Sequence, residues 1–277
     1  MIQVNHLFYE YDSHAGPVLR DLDLTIPAGS YVGIIGPNGC GKTTFIRHLN
    51  GLLSPTSGEV WVEGINTRDT DQLPLIRQSV GMVFQNPDNQ IVGMSVEEDV
   101  AFGPGNMGLP SMEIQDRVKN ALDLVGMRDQ AKRAPHTLSS GEKQLVAMAG
   151  VLAMAPKTIL LDEPTAYLDP SARKRLLSVV RDLHGEGITI VHVTHTMDEI
   201  AQADDIVVLH QGRIVQQGAP ARVFSRIERL RGLGLDIPTV TTLMLKMQHS
   251  GFPVRTDIFT VEDAYAELSP LMGTRSG

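Results

Sequence analysis

The chain has 277 residues, of which 42% are hydrophobic and 20% charged, and carries a net charge of −8. That length buries a substantial core, the composition is ordinary for a globular protein, and the acidic balance argues against nucleic acid as a partner, because broad phosphate-backbone binding needs surplus Lys and Arg. The single cysteine, Cys40, excludes an internal disulfide framework, and neither a bilayer-length apolar run nor a signal pattern is present, so the chain is expected in the cytoplasm.

Residues 2–9 and 18–26 alternate apolar with polar positions, notably Leu22, Leu24 and Ile26, as half-buried antiparallel strands do. Pro27-Ala28-Gly29-Ser30 then turns the chain into Tyr31-Val32-Gly33-Ile34-Ile35, a short β-branched run. Directly after it, Gly36-Pro37-Asn38-Gly39-Cys40-Gly41-Lys42-Thr43 fits the phosphate-binding pattern G-x-x-x-x-G-K-[ST] in full. Glycine at 36, 39 and 41 lets the backbone curl so that successive N–H groups face the phosphates of a nucleoside triphosphate. Lys42 adds a positive charge, Thr43 offers a hydroxyl to magnesium, and the helix beginning at Thr44 places its N-terminus under the anion. Gly36, Asn38, Gly39, Cys40, Gly41, Lys42, Thr43 and Thr44 are therefore the residues expected to hold the nucleotide.

Residues 60–62 and 80–84 read as further short strands, and residues 96–152 as a helical insertion without a strong strand. Strands resume at 158–162, 188–193 and 205–209, with a helical segment over 171–183, the alternation of a parallel sheet covered by helices. The composition shifts after Gly218-Ala219-Pro220. The expected organisation is thus an α/β domain over 1–220, with a helical subdomain at about 90–152, and a small accessory domain over 221–277.

The strand at 158–162 ends in Asp162-Glu163-Pro164, two carboxylates at the carboxyl end of a buried strand, where open α/β sheets bind ligands. Asp162 is placed to hold magnesium and Glu163 to polarise an attacking water; the competing reading is a solvated acidic turn. Gln85 presents an amide to metal or water, or else bonds to loop backbone. His195, after the strand at 188–193, is the best placed of nine histidines to touch a γ-phosphate, or is structural. Leu138-Ser139-Ser140-Gly141-Glu142 opens a helix from about 143 to 152 and either caps it or offers hydroxyl and N–H groups to a phosphate.

In this order, the phosphate loop, Gln85, residues 138–142, Asp162-Glu163, Ala166-Tyr167-Leu168-Asp169 and His195 resemble the nucleotide-binding domain of ATP-binding-cassette proteins over residues 1–220. The resemblance implies a P-loop NTPase fold with a mostly parallel core sheet, an antiparallel amino-terminal sheet and a helical insertion. It also implies a head-to-tail dimer, in which ATP on one subunit's phosphate loop is closed over by the signature of the other. Catalytic roles then fall to Glu163, His195 and Gln85. Magnesium falls to Thr43, Gln85 and Asp162, and further nucleotide contacts to Ser139, Ser140, Gly141 and Asp169. Tyr11 would stack on adenine, or pack as a strand residue.

Phe84-Gln85-Asn86-Pro87-Asp88-Asn89-Gln90, the stretch from Val96 to Pro104, Leu233-Gly234-Leu235-Asp236-Ile237-Pro238 and Phe259-Thr260-Val261-Glu262-Asp263 resemble segments of energy-coupling-factor transporter ATPases more closely. That implies an ATPase on the cytoplasmic face of the cell membrane, powering uptake of a vitamin or of cobalt or nickel ions. Its partners would be a second ATPase, identical or related, a membrane scaffold subunit whose coupling helices meet the face around residues 85–90 and the helical insertion, and a substrate-binding membrane subunit. The tail would contribute to ATPase pairing. The competing readings are an ATPase of an ordinary importer or exporter and a soluble cassette protein. Against the family's Leu-Ser-Gly-Gly-Gln, Ser140 is expected to narrow the approach to phosphate, Glu142 to bring negative charge near it, and Leu145 to remove a frequent positive charge. Cys40 stands for a usual serine, its thiol expected to be open to alkylation beside Lys42.

Overall fold

Period-two burial runs through the amino-terminal strands, and unbroken burial through the later ones. The computed structural model describes residues 1–11 and 16–273. Its strands, in chain order, are β1 (Ile2–Tyr9), β2 (Leu19–Ile26), β3 (Tyr31–Ile35), β4 (Ser57–Val62), β5 (Ile65–Asn66), β6 (Val80–Val83), β7 (Thr158–Asp162), β8 (Thr189–Val193), β9 (Asp205–His210) and β10 (Arg213–Gly218). Its helices are α1 (Lys42–His48), α2 (Leu73–Ser79), α3 (Val96–Asn106), α4 (Ser111–Val125), α5 (Ser140–Ala153), α6 (Pro170–Gly185), α7 (Pro220–Phe224), α8 (Ile227–Gly232), α9 (Thr239–His249) and α10 (Val261–Gly273).

The antiparallel sheet runs in the order β2-β1-β4-β5. Ile2 pairs with Ile26 on one side and Val62 on the other, so the inward residues Ile2, Val4, Leu24, Ile26, Val60 and Val62 share one buried face. The second sheet runs β10-β9-β3-β8-β7-β6, parallel throughout except for the edge strand β10. Every residue of β3, β6, β7 and β8 is buried, as expected for a parallel sheet covered on both faces. One cluster lies between the two sheets, and a larger one lies between the parallel sheet and helices α3 to α6.

The α/β class, antiparallel amino-terminal sheet and helical insertion match the expectation. Several elements differ from it. Helix α5 begins at Ser140, three residues before the expected 143, because Ser139 caps it. Neither α2 nor β10 was foreseen. Helix α2 is short and opens on a proline at its first turn, and β10 is a polar edge strand, Arg-Ile-Val-Gln-Gln-Gly, without the apolar alternation that marks a strand.

Past residue 220 the chain continues to feed the main core. Val223, Phe224, Leu230, Leu235 and Ile237 belong to the same cluster as β3, β7 and β8, whereas Met244, Val254, Ile258 and Ala264 form a separate small one. The Phe224 ring is fully buried and tilts against Phe259 with centroids 5.8 Å apart. Phe224→Ala is accordingly expected to destabilise the whole chain by about 3–5 kcal/mol, seen as a lower urea midpoint in one transition.

Candidate active site

β3 delivers the chain into the loop at residues 36–41, which is pressed onto β9. A Cβ built on Gly36 would sit 2.2 Å from the Leu209 carbonyl oxygen and 2.6 Å from the Cys40 sulfur, so only glycine fits. Gly39 (φ 76°) and Gly41 (φ 107°) take left-handed conformations before α1 begins. Lys42, 6% exposed, folds its ammonium back to donate to the carbonyls of Gly36 (2.8 Å) and Pro37 (3.3 Å). On the next residue, the Thr43 hydroxyl donates to Asp162 Oδ1 at 3.1 Å. Burial raises the Asp162 carboxyl; the Thr43 hydrogen bond opposes that rise, and the neighbouring Glu163 charge adds to it.

Glu163 turns sharply out of β7. Its φ is 47°, and its N–H donates to the Val193 carbonyl of β8 at 2.9 Å, which fixes where its side chain emerges. The carboxylate accepts from Gln85 Nε2 at 3.2 Å, lies 3.3 Å from His195 Nδ1 and lies 3.9 Å from the Lys42 ammonium. Residues expected from separate motifs therefore converge on one carboxylate. They line a cavity of about 700 Å³ together with Gly36, Pro37, Asn38, Gly39, Gly41, Thr43 and Thr44. Tyr11 lies two residues past the end of β1, half exposed, with its hydroxyl 3.1 Å from Thr44 Oγ1.

Ser139, Ser140, Gly141 and Asp169 are grouped elsewhere. Ser139 and Asp169 line a separate cavity of about 280 Å³ with Glu142 and Leu145. A Cβ on Gly141 would come within 3.7 Å of Asp169 Oδ2, so the signature turn abuts this residue, which itself caps α6 by accepting from the N–H groups of Ser171 and Ala172. Glu142 does not project its charge freely. Its Oε2 accepts from the Ser139 N–H at 2.8 Å, the Ser139 hydroxyl accepts from the Glu142 N–H at 3.2 Å, and Arg133 lies 3.8 Å away. These contacts, the Ser139 N–H first, hold the Glu142 carboxyl below its ordinary range. Leu145 is buried against the helical layer, so that position supplies packing.

Two features escaped the sequence reading. Gly234, Leu235 and Asp236 line the cavity of the phosphate loop, together with Met197. Glu199, 2% exposed, accepts from Thr165 Oγ1 (2.7 Å), Thr194 Oγ1 (2.8 Å) and Arg173 Nε (2.7 Å) and lies 3.4 Å from His192 Nε2. Burial alone would raise its carboxyl, but His192, Thr165 and Arg173 bring it down to about 2. A lone glutamate in a polar stretch gives no sign of this role. The expectation for Cys40 is corrected: its side chain is 4% exposed, and burial pushes the thiol up despite Lys42 nearby. In the folded protein Cys40 should react with iodoacetamide far more slowly than a free thiol and label readily only in denaturant, as read by intact mass.

The ABC transporter family model matches residues 19–166. The cobalt import ATP-binding protein CbiO of Syntrophus aciditrophicus is 49% identical over 97% of this chain and 96% of its own. The energy-coupling factor transporter ATP-binding protein EcfA1 of Caldanaerobacter subterraneus subsp. tengcongensis is 47% identical over 94% of each chain. Among solved structures, cbiO1 of Clostridium perfringens, part of the transporter complex cbiONQ, superposes with a TM-score of 0.76 at 37% identity, covering 90% of this chain and 98% of that one. With the loop, the strand-end carboxylates and the parallel sheet all in place, the chain belongs to the ABC transporter family, as an ATP-binding subunit of the energy-coupling factor type.

Proposed function

We propose that this chain hydrolyses ATP in the cavity beneath residues 36–43 and that Glu163 is the group that polarises the attacking water. The observation that supports this reading best is the meeting of Lys42, Gln85 and His195 on the Glu163 carboxylate, beside the Thr43–Asp162 pair. The loop N–H groups and Lys42 offset negative charge on the triphosphate, and His195 contacts the γ-phosphate. Lys42 currently spends its hydrogen bonds on loop carbonyls, so a phosphate oxygen replaces them without leaving the ammonium unpaired.

Magnesium fits the donors present. Thr43, Asp162 and Gln85 offer only hydroxyl, carboxylate and amide oxygen, the hard ligands this ion prefers, and burial disfavours an uncompensated Asp162 charge. When bound, the ion supplies further charge neutralisation on the phosphates.

The second half of the site comes from another ATPase subunit, whose counterparts of Ser139, Ser140, Gly141 and Asp169 close over the nucleotide. Within one chain Ser139 and Asp169 line a different cavity from the phosphate loop. The carboxy-terminal helices α9 and α10, with their own small cluster, form the accessory domain that assists pairing. Val92, Met94 and Phe102 are exposed apolar residues beside the segment at 85–90 and suit the coupling helices of a membrane scaffold. No described helix is long and apolar enough to cross a membrane; the likeness to energy-coupling factor ATP-binding subunits supports a peripheral place at the cytoplasmic face. The solute is a micronutrient, a transition-metal ion such as cobalt or a vitamin, chosen by a separate membrane subunit.

Glu163→Gln should keep ATP binding while turnover falls by about 10²–10⁴-fold, measured by nucleotide titration alongside phosphate release. Unchanged hydrolysis would remove Glu163 from its role. Asp162→Asn should raise the magnesium concentration for half-maximal turnover about 10-fold or more.

A further inference from the structure

The carboxy-terminal segment reaches the nucleotide cavity. Gly234, Leu235 and Asp236 line it with Met197 and the glycine-rich loop. The segment is anchored on both sides of Asp236: Leu235 and Ile237 are buried in the main core, and the Leu235 N–H donates to the Leu230 carbonyl at 3.0 Å. A second tie lies three residues on. Thr239 donates its N–H to Asp198 Oδ1 at 2.9 Å and its hydroxyl to Asp198 Oδ2 at 2.7 Å. Asp198 belongs to the short 3-10 turn Met197–Glu199 that follows His195, so the tail is clasped to the turn that carries the histidine.

Of the two carboxylates lining the cavity, Glu163 is engaged by Lys42, Gln85 and His195. Asp236 makes no hydrogen bond or ion pair among the described residues. It lines the same cavity as His195, and the Thr239–Asp198 contacts tie its segment to the turn after His195, the residue assigned above to the γ-phosphate. Asp236 is exposed, so its carboxylate opposes the negative charge that ATP has and ADP lacks across solvent, where salt screens the repulsion.

We infer that Asp236 sets the balance between ATP and ADP binding: it weakens the triphosphate selectively and makes the carboxy-terminal segment sensitive to the γ-phosphate. The inference rests on the reading that ATP occupies this cavity with its γ-phosphate near His195. Through the Thr239–Asp198 clasp, displacement of the tail by a γ-phosphate is transmitted to the turn after His195, and cleavage of the phosphate relieves it.

The test is isothermal titration of the full-length protein with magnesium and either the non-hydrolysable β,γ-imido analogue of ATP or ADP. Asp236→Asn should tighten the triphosphate analogue about 3- to 10-fold and leave ADP unchanged, with the difference shrinking as salt rises. Asp236→Glu, which keeps the charge, should retain the wild-type ratio. An unchanged ratio in Asp236→Asn overturns the inference, whether both affinities stay or both move together. Lys42→Ala separates this from failure of the site reading: if Lys42→Ala abolishes binding of both nucleotides while Asp236→Asn leaves the ratio unchanged, the cavity assignment stands and only the role of Asp236 falls. If Lys42→Ala binds both normally, the cavity assignment and the inference fall together.

Discussion

A mostly buried carboxylate must be compensated, and Glu163 meets that requirement by drawing groups from three other parts of the chain. Its partners do not arrive by chance. In the sheet, β3, β8, β7 and β6 are adjacent and parallel, so their carboxyl ends open on the same side. β3 hands over Lys42 through the glycine loop, β6 hands over Gln85, β7 carries Asp162 and Glu163, and β8 leads to His195. The left-handed turn at Glu163 and its N–H bond to Val193 fix the carboxylate where these lines meet. Moving any one strand by a residue would send its group to the wrong face.

The same logic bears on the proposal that one chain supplies half a site. The signature turn opens α5 in the helical layer, away from the strand ends, and its contacts there are internal: Ser139 with Glu142, and Gly141 against Asp169. Around the sheet ends, Glu199 binds Thr165, which precedes the Asp169 turn, and Thr194, which precedes His195, through one buried carboxylate. Arg173 of α6 completes the set. The turns bearing Asp169 and His195 are thereby joined by polar contacts that resist independent motion.

The phosphate loop was legible because its chemistry is local: glycines, lysine and threonine act within eight consecutive residues. Asp162 and Glu163 were legible because an apolar strand ends at them. Glu199, by contrast, derives its role from residues at 165, 173, 192 and 194, whose meeting depends on packing that no local pattern announces. The position of residues 234–236 likewise follows from burial of Leu235 and Ile237, not from their spacing. For Cys40 the residue type suggested reactivity, and burial of the thiol against Gly36 reversed it; the Glu142 carboxylate is held in a local helix cap with Ser139.

Besides their own contacts to magnesium and the γ-phosphate, Gln85 and His195 are proposed to hold the Glu163 carboxylate in place together. A double-mutant cycle of Gln85→Ala and His195→Ala on the rate of ATP turnover tests it most directly. The account predicts a combined loss clearly smaller than the product of the single losses, since the second substitution removes support from a carboxylate already loosened. Losses that multiply, as for independent groups, would contradict it.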